Sequence, residues 1–211
     1  MAKRRTSQEV TATKPELVAS VDQITKELNI QYWDVLIVGD GSGSGWDKGT
    51  GWACVLLDRF SWHAKLFYGA INTGTITIGE LFPYLHSLIW YFSSDGPGKD
   101  RANAVRLTGR ALQVHIITDN SSVALGGNQP ETRKANIELW TAMDMIRARG
   151  ISLVFHHWRR DGVSLNILAD EVARQSRVTI EAAYGKGVEV LARKYPGLPT
   201  DAKPEDFFFW R

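Results

Sequence analysis

The chain has 211 residues, 44% of them hydrophobic and 23% charged, with a formal net charge of +2. This composition suits a soluble globular chain with one sizeable core and excludes disorder throughout, collagen and a coiled coil. Lys3, Arg4, Arg5 and Lys14 against Glu9 concentrate the positive charge in residues 1–14. The body is close to neutral, so any polyanion it binds must be met by local patches or bound metal.

Residues 1–14 are polar, Thr-rich and aperiodic, the pattern of a flexible basic arm. From Pro15, the residues Leu17, Val18, Val21, Ile24 and Leu28 recur at helical spacing and predict an N-terminal helix within 15–30. Trp33 to Val38 is a β-branched run, and the glycine-rich stretch Gly39-Asp40-Gly41-Ser42-Gly43-Ser44-Gly45 is expected to end that strand. Strands over Gly51–Leu57 and His63–Ala70, turning at Asp58-Arg59 and closed by Asn72–Thr75, complete a three-stranded meander.

Glu80 is expected to open a helix with Leu81, Leu85, Leu88, Ile89 and Phe92 on one face and Pro83 in its first turn. Residues 93–110 read as a loop carrying Lys99, Arg101, Arg106 and Arg110. Leu112 to Thr118 is a fourth strand, ending at Asp119-Asn120-Ser121. Helical pieces follow over Ser121–Leu125 and Glu131–Arg149, the latter with Ile137, Leu139, Trp140, Met143 and Ile146 on an apolar face. Ile151 to Phe155 is the fifth strand, His156 to Ser164 a polar loop, and Asn166 to Ala183 a helix with Leu168, Val172 and Ile180 on one side.

This order implies an α/β fold, a mixed five-stranded sheet flanked by helices, over residues 31–195. The tail 196–211 carries Phe207-Phe208-Phe209-Trp210, either a clip packed on the domain or a peptide for a protein partner. Cys54 alone makes no internal disulfide, no apolar run is long enough to span a membrane, and no apolar core follows the basic N-terminus. A cytoplasmic protein without membrane contact is expected.

Two apolar strands end alike, in Val38-Gly39-Asp40-Gly41-Ser42 and Thr118-Asp119-Asn120-Ser121. As neighbours about 4.8 Å apart they would bring both carboxylates to one sheet end. Adjacent carboxylates repel unless a divalent cation sits between them, and hard oxygen ligands select Mg²⁺ or Mn²⁺ over Zn²⁺. Each Asp alone also reads as an ordinary turn residue. Glu80 and Asp170 can reach the same end, although Asp170 also reads as a solvated helix acid.

With these motifs the stretch from Trp33 to Ala183 resembles the ribonuclease H-like superfamily, particularly type I ribonucleases H. Asp40-Gly41-Ser42 with Gly51-Trp52-Ala53 resembles the first acidic motif and the glycine-bearing second strand. Glu80-Leu81 resembles the second acid, Thr118-Asp119-Asn120-Ser121 the third, and Asp170 with Asn166, Ala169 and Ala173 the fourth. The resemblance implies an endonuclease that hydrolyses the RNA strand of RNA–DNA hybrids with two Mg²⁺ or Mn²⁺ ions, leaving 5′-phosphate and 3′-hydroxyl ends. Asp40 would bridge both ions, Glu80 and Asp119 would complete one site, and Asp170 the other.

Two departures bear on substrate. Asparagines that read RNA 2′-hydroxyls are replaced by Ile76, Thr77, Ile78 and Gly79, and a glutamine after the third acid by Ser121, so that Ser42, Thr77 and Ser121 are the remaining hydroxyl donors. The histidine expected ten residues before Asp170 is Arg160; His156 and His157 lie farther upstream and serve only if the loop bends differently, or else end the strand and pack. Arg159 and Arg160 read as phosphate contacts or as a solvated surface pair. The arginines of 93–110 with Arg133 and Lys134 read as a backbone track or solvated faces, and Trp46 and Trp158 as stacking or packing residues. Branched or single-stranded DNA, structured RNA, or non-catalytic nucleic-acid binding are the alternative functions.

Overall fold

Five strands form one sheet in the order β3-β2-β1-β4-β5 in the computed structural model, which describes residues 14–43, 49–71, 76–101, 107, 109–159 and 164–183. Strands β1 (Val35–Gly43), β2 (Thr50–Asp58) and β3 (His63–Ile71) make the antiparallel meander, and β4 (Leu112–Thr118) and β5 (Ile151–His157) join parallel to β1. The helices are α1 (Lys14–Glu27), α2 (Ile76–Tyr91), α3 (Ser121–Asn128), α4 (Ile137–Arg147) and α5 (Ser164–Ala183), with a 3₁₀ turn at Pro130–Thr132. The mixed sheet, its flanking helices and the N-terminal helix are those expected. Residues 1–13, Trp46, 72–75, Arg106, Arg160 and the tail, and the Ile180 side chain, lie outside what is described.

Strand alternation sorts the core into two layers. Val35 and Ile37 of β1 with Trp52, Cys54 and Leu56 of β2 face α2, α3 and α4, whose Leu81, Leu85, Leu88, Val123, Trp140 and Met143 are buried against them. Leu36 and Val38 with Val55, Leu57 and Ile117 face α1 and α5, meeting Val21, Ile24 and Leu165. Each such fully buried aliphatic contributes about 1.5–3 kcal/mol relative to exposure, which explains why α1, formally an extension, is part of the same body.

Several boundaries differ from the sequence expectation. Strand β1 does not stop at Asp40, because the ladder to β2 continues through Gly41–Trp52, Ser42–Gly51 and Gly43–Thr50. Helix α2 begins at Ile76, so Glu80 lies in its second turn and Pro83 in its interior. Pro83 has no N–H to offer the Gly79 carbonyl, while its own carbonyl accepts from the Cys54 thiol at 3.2 Å. Burial pushes that thiol up to about 12. Residues 99–101 are helical rather than loop, and His156 and His157 belong to β5. Ile137, expected on the apolar face of α4, is 52% exposed.

Three arginines of the expected basic track are held in ion pairs. Arg101 makes a two-pronged contact with buried Asp58, Arg133 bonds Asp144 at 3.1 Å, and Arg110 lies 3.7 Å from Asp34. Among the described residues no helix is long and apolar enough to cross a membrane.

Candidate metal centre

The parallel pairing of β1 with β4 runs from Val35–Val114 to Val38–Ile117 and goes no further. Beyond that point the two strands part, β1 continuing along β2 and β4 bending into α3. The bend is fixed locally. Thr118 Oγ1 accepts from the Asn120 N–H at 3.1 Å, and the Asn120 side chain caps α3 by accepting from the Ser122 and Val123 N–H groups at 3.0 and 3.1 Å. Asp119 is held between them at the mouth of the opening.

Tyr84 closes the base of that opening. Its hydroxyl lies 2.8 Å from the Gly39 carbonyl oxygen and 3.1 Å from that of Ile117, one from each parting strand. The ring fits because residue 39 is glycine, where an added Cβ would fall 2.8 Å from Tyr84 Cε1. Burial first, then the carboxylates of Glu80 and Asp40, push the phenol well above its usual range, so it remains a donor.

Glu80 sits one turn before Tyr84 on α2. The helix approaches β1 closely because both facing residues lack side chains: a Cβ on Gly41 would lie 2.6 Å from the Gly79 carbonyl carbon and 2.7 Å from the Glu80 nitrogen. This contact sets Glu80 beside Asp40. Both are buried, at 2% and 4% exposure, and Asp119 is half-buried. Asp40, Glu80 and Asp119 each offer a carboxylate oxygen, and the three oxygens lie within 4.8 Å of one another. Three of the four expected acids therefore converge.

Asp170 lies outside that close group. It is half-buried on α5, on the stripe shared with Ala173 and Arg177. A Cβ on Gly51 would meet the Ala173 carbonyl oxygen at 2.0 Å, and Arg177 Nε donates to Ser42 Oγ at 3.1 Å, so this stripe faces the C-terminal half of β1. Of the expected hydroxyl donors, Ser42 receives that arginine, Thr77 is half-buried in the first turn of α2, and Ser121 is exposed at the start of α3.

The remaining expectations divide. His156 is not aimed at the acids: its Nε2 lies 2.8 Å from Nδ1 of His115, the rings stacked at 17°. His157 is exposed at the end of β5, with Nε2 3.1 Å from the Asp119 carbonyl oxygen. Trp158 is no stacking surface, being 4% exposed and packed between α1 and α5. Arg159 is exposed, 3.7 Å from Glu27 of α1. Sequence reasoning missed Tyr84 and Arg177; Gly39, where a Cβ would meet the Tyr84 ring, and Gly51, where one would meet the Arg177 backbone, were the signs that something packs there.

Comparison with solved structures decides the architecture. The N-terminal RNase H domain of Rv2228c from Mycobacterium tuberculosis, solved as a fusion with maltose-binding protein, superposes with a TM-score of 0.54 at 16% identity, covering 72% of this chain and 99% of that one. The fold is ribonuclease H-like. LC11-RNase H1, isolated from compost by a metagenomic approach, gives a TM-score of 0.53 at 18% identity over 70% of this chain and 98% of its own. The PFV RNase H domain gives 0.50 at 14% identity over 72% and 98%. No protein-family model matches the sequence, and no curated protein matches it.

Within the ribonuclease H-like fold, the donor set of the cluster suits a hard divalent cation. It consists of oxygen alone, from three carboxylates whose mutual repulsion a cation relieves, with neither the thiolates nor the imidazoles that favour zinc.

Proposed function

We propose that the protein is a metal-dependent endonuclease that hydrolyses the RNA strand of RNA–DNA hybrids. The convergence of Asp40, Glu80 and Asp119 at the split between β1 and β4 carries this reading. Asp40, Glu80 and Asp119 would hold one Mg²⁺ or Mn²⁺, and Asp40 with Asp170 would hold a second. Such a pair of cations supplies an activated water and charge neutralisation at the scissile phosphate. Ser42, Thr77 and Ser121 face the nucleic acid as hydroxyl donors, and Arg159 and Arg160 contact its phosphates. The likeness to ribonuclease H domains supports a phosphodiester hydrolase of this type, working on nucleic acid.

One observation favours a second substrate. Ile76, Thr77, Ile78 and Gly79 form the first turn of α2 and leave Thr77 as its one hydroxyl donor, which suits branched or single-stranded DNA or structured RNA as well as a hybrid. Labelled hybrid, duplex DNA, duplex RNA, single strands and a branched junction, each incubated with Mg²⁺ or Mn²⁺, test both readings. Hybrid cleavage that disappears in Asp40→Asn is expected. Cleavage of the junction alone gives the second reading, and no product with either metal removes both.

A further inference from the structure

The turn from β2 to β3, residues 59–62, lies at the end of the sheet away from the acids, since Asp58 pairs with Val35 at the start of β1 whereas Asp40 pairs with Ala53. Aromatic rings crowd this end and stay open to solvent: Phe60 is 86% exposed, Trp62 50% and Tyr32 38%. Guanidinium groups are interleaved with them. Arg101 lies 4.6 Å over the Phe60 ring, Arg110 4.0 Å and Arg59 5.0 Å from the Tyr32 ring, and Trp62 meets Trp33 edge-on at 6.1 Å.

Two features set this patch apart from scattered surface apolar residues. Trp62 has φ +53°, the left-handed region that suits glycine or asparagine, so presenting a tryptophan there costs about 1 kcal/mol of backbone strain. Arg59 is the cation left over. Its guanidinium bonds the Trp33 carbonyl at 3.3 Å and has no carboxylate within ion-pairing distance among the described residues, while Arg101 is committed to Asp58. An apolar protein surface laid here would bury that charge unpaired. A nucleic-acid strand brings phosphates for Arg59 and for Arg110, which lies 3.7 Å from Asp34 but keeps 59% of its side chain exposed, and bases for the rings.

We infer that the Tyr32, Arg59, Phe60, Trp62 and Arg110 surface is a second nucleic-acid contact, a platform on which a single-stranded segment stacks its bases on Phe60 and Trp62. The choice of occupant rests on the nuclease reading and extends it to a surface away from the acids. Without metal, a fluorescently labelled twelve-nucleotide DNA or RNA strand should bind the full chain in an anisotropy titration. The Phe60→Ser, Trp62→Asn double variant should bind at least about tenfold more weakly. Arg59→Gln should lower the salt dependence of log K by about 0.7.

Asparagine accepts the left-handed backbone, and Phe60 is 86% exposed, so far-ultraviolet dichroism and cooperative urea unfolding matching wild type will show that the fold of the double variant is intact. Short-hybrid cleavage should be the same in wild type and double variant. Equal strand affinity in the two proteins, or no strand binding by wild type, overturns the platform. Self-association in sedimentation that the double variant abolishes, with strand affinity unmoved, overturns it in favour of a second copy of the chain. No product from any of the nucleic acids named above, with either metal, overturns the nuclease reading instead, leaving the strand titration to decide the platform by itself.

Discussion

The Tyr84 hydroxyl lies 2.8 Å from the carbonyl oxygen of Gly39, the residue immediately before Asp40. The same hydroxyl reaches Ile117 at 3.1 Å, two residues before Asp119, so one side chain spans the two strands that carry these acids. It bridges the two strands just where their pairing ends.

Tyr84→Phe should keep the ring and remove the bridge. The two buried carbonyls lose the one O–H they share, a loss of about 1–2 kcal/mol, or a fall of several degrees in Tm for a chain of this size. Mn²⁺ affinity measured by calorimetry should weaken several-fold as the acids lose their common reference. An unchanged Mn²⁺ affinity would mean that the phenol supports the fold and not the acids.

Gly41→Ala sets a methyl group 2.6 Å from the Gly79 backbone, which has no side chain to turn aside. Helix α2 must shift away from β1 at Glu80. The cost is about 1–3 kcal/mol, and cation affinity should fall at least tenfold in the same titration. Retained affinity with lowered stability would place the displacement elsewhere along α2.

Asp119→Asn should have opposite effects with and without metal. In the metal-free protein it removes one of three crowded negative charges, so Tm should rise. The further rise that Mg²⁺ or Mn²⁺ gives the wild type should shrink or vanish, along with cleavage, while substrate binding is largely kept. A variant that still cuts at the wild-type rate contradicts the metal assignment.

The stacked His115–His156 pair should make stability depend on pH. Burial, with His115 beside it, lowers His156 from 6.5 to about 4, and burial lowers His115 as well. Between those pH values the unfolded chain binds protons that the folded chain refuses, so stability is complete above about 6.5 and is lost as pH falls toward 4. Asp58 and Asp144 are held below 3.8 and act only at lower pH. Urea unfolding from pH 7.5 to 4.5 should show this slope, reduced in His156→Gln; a flat wild-type profile would contradict it.

Arg101→Ala should destabilise more than its partly exposed position suggests. Asp58 is 2% exposed, and Arg101 meets it with both terminal nitrogens. Removing the guanidinium leaves a buried carboxylate, with a loss of about 3–5 kcal/mol. Asp58→Asn combined with Arg101→Ala should recover part of that loss in denaturant unfolding.

The sheet, its meander and the helix order were legible because apolar periodicity changes sharply from two to near four along the chain. Asp40 and Asp119 were legible as a pair because both follow β-branched runs. The end of β1 was not, since Gly41 and Gly43 read as breakers although glycine at 41 is what α2 requires. The start of α2 was hidden by Ile76-Thr77-Ile78, whose β-branched alternation favours strand until tertiary packing overrides it. Sequence spacing gave no hint that Arg101 and Arg133 are held by Asp58 and Asp144, 43 and 11 residues away. Nor did it show that His156 would turn to His115, because both follow from which strands become neighbours.

The pairing of β1 with β4 also sets the order in which the molecule can be completed. The meander closes over neighbouring segments, but Val38 and Ile117 meet only after everything between them has been made. Such long-range contacts form slowly. A growing chain therefore exposes Asp40 and Glu80 well before Asp119 joins them, and the three carboxylates meet only once β4 has docked beside β1.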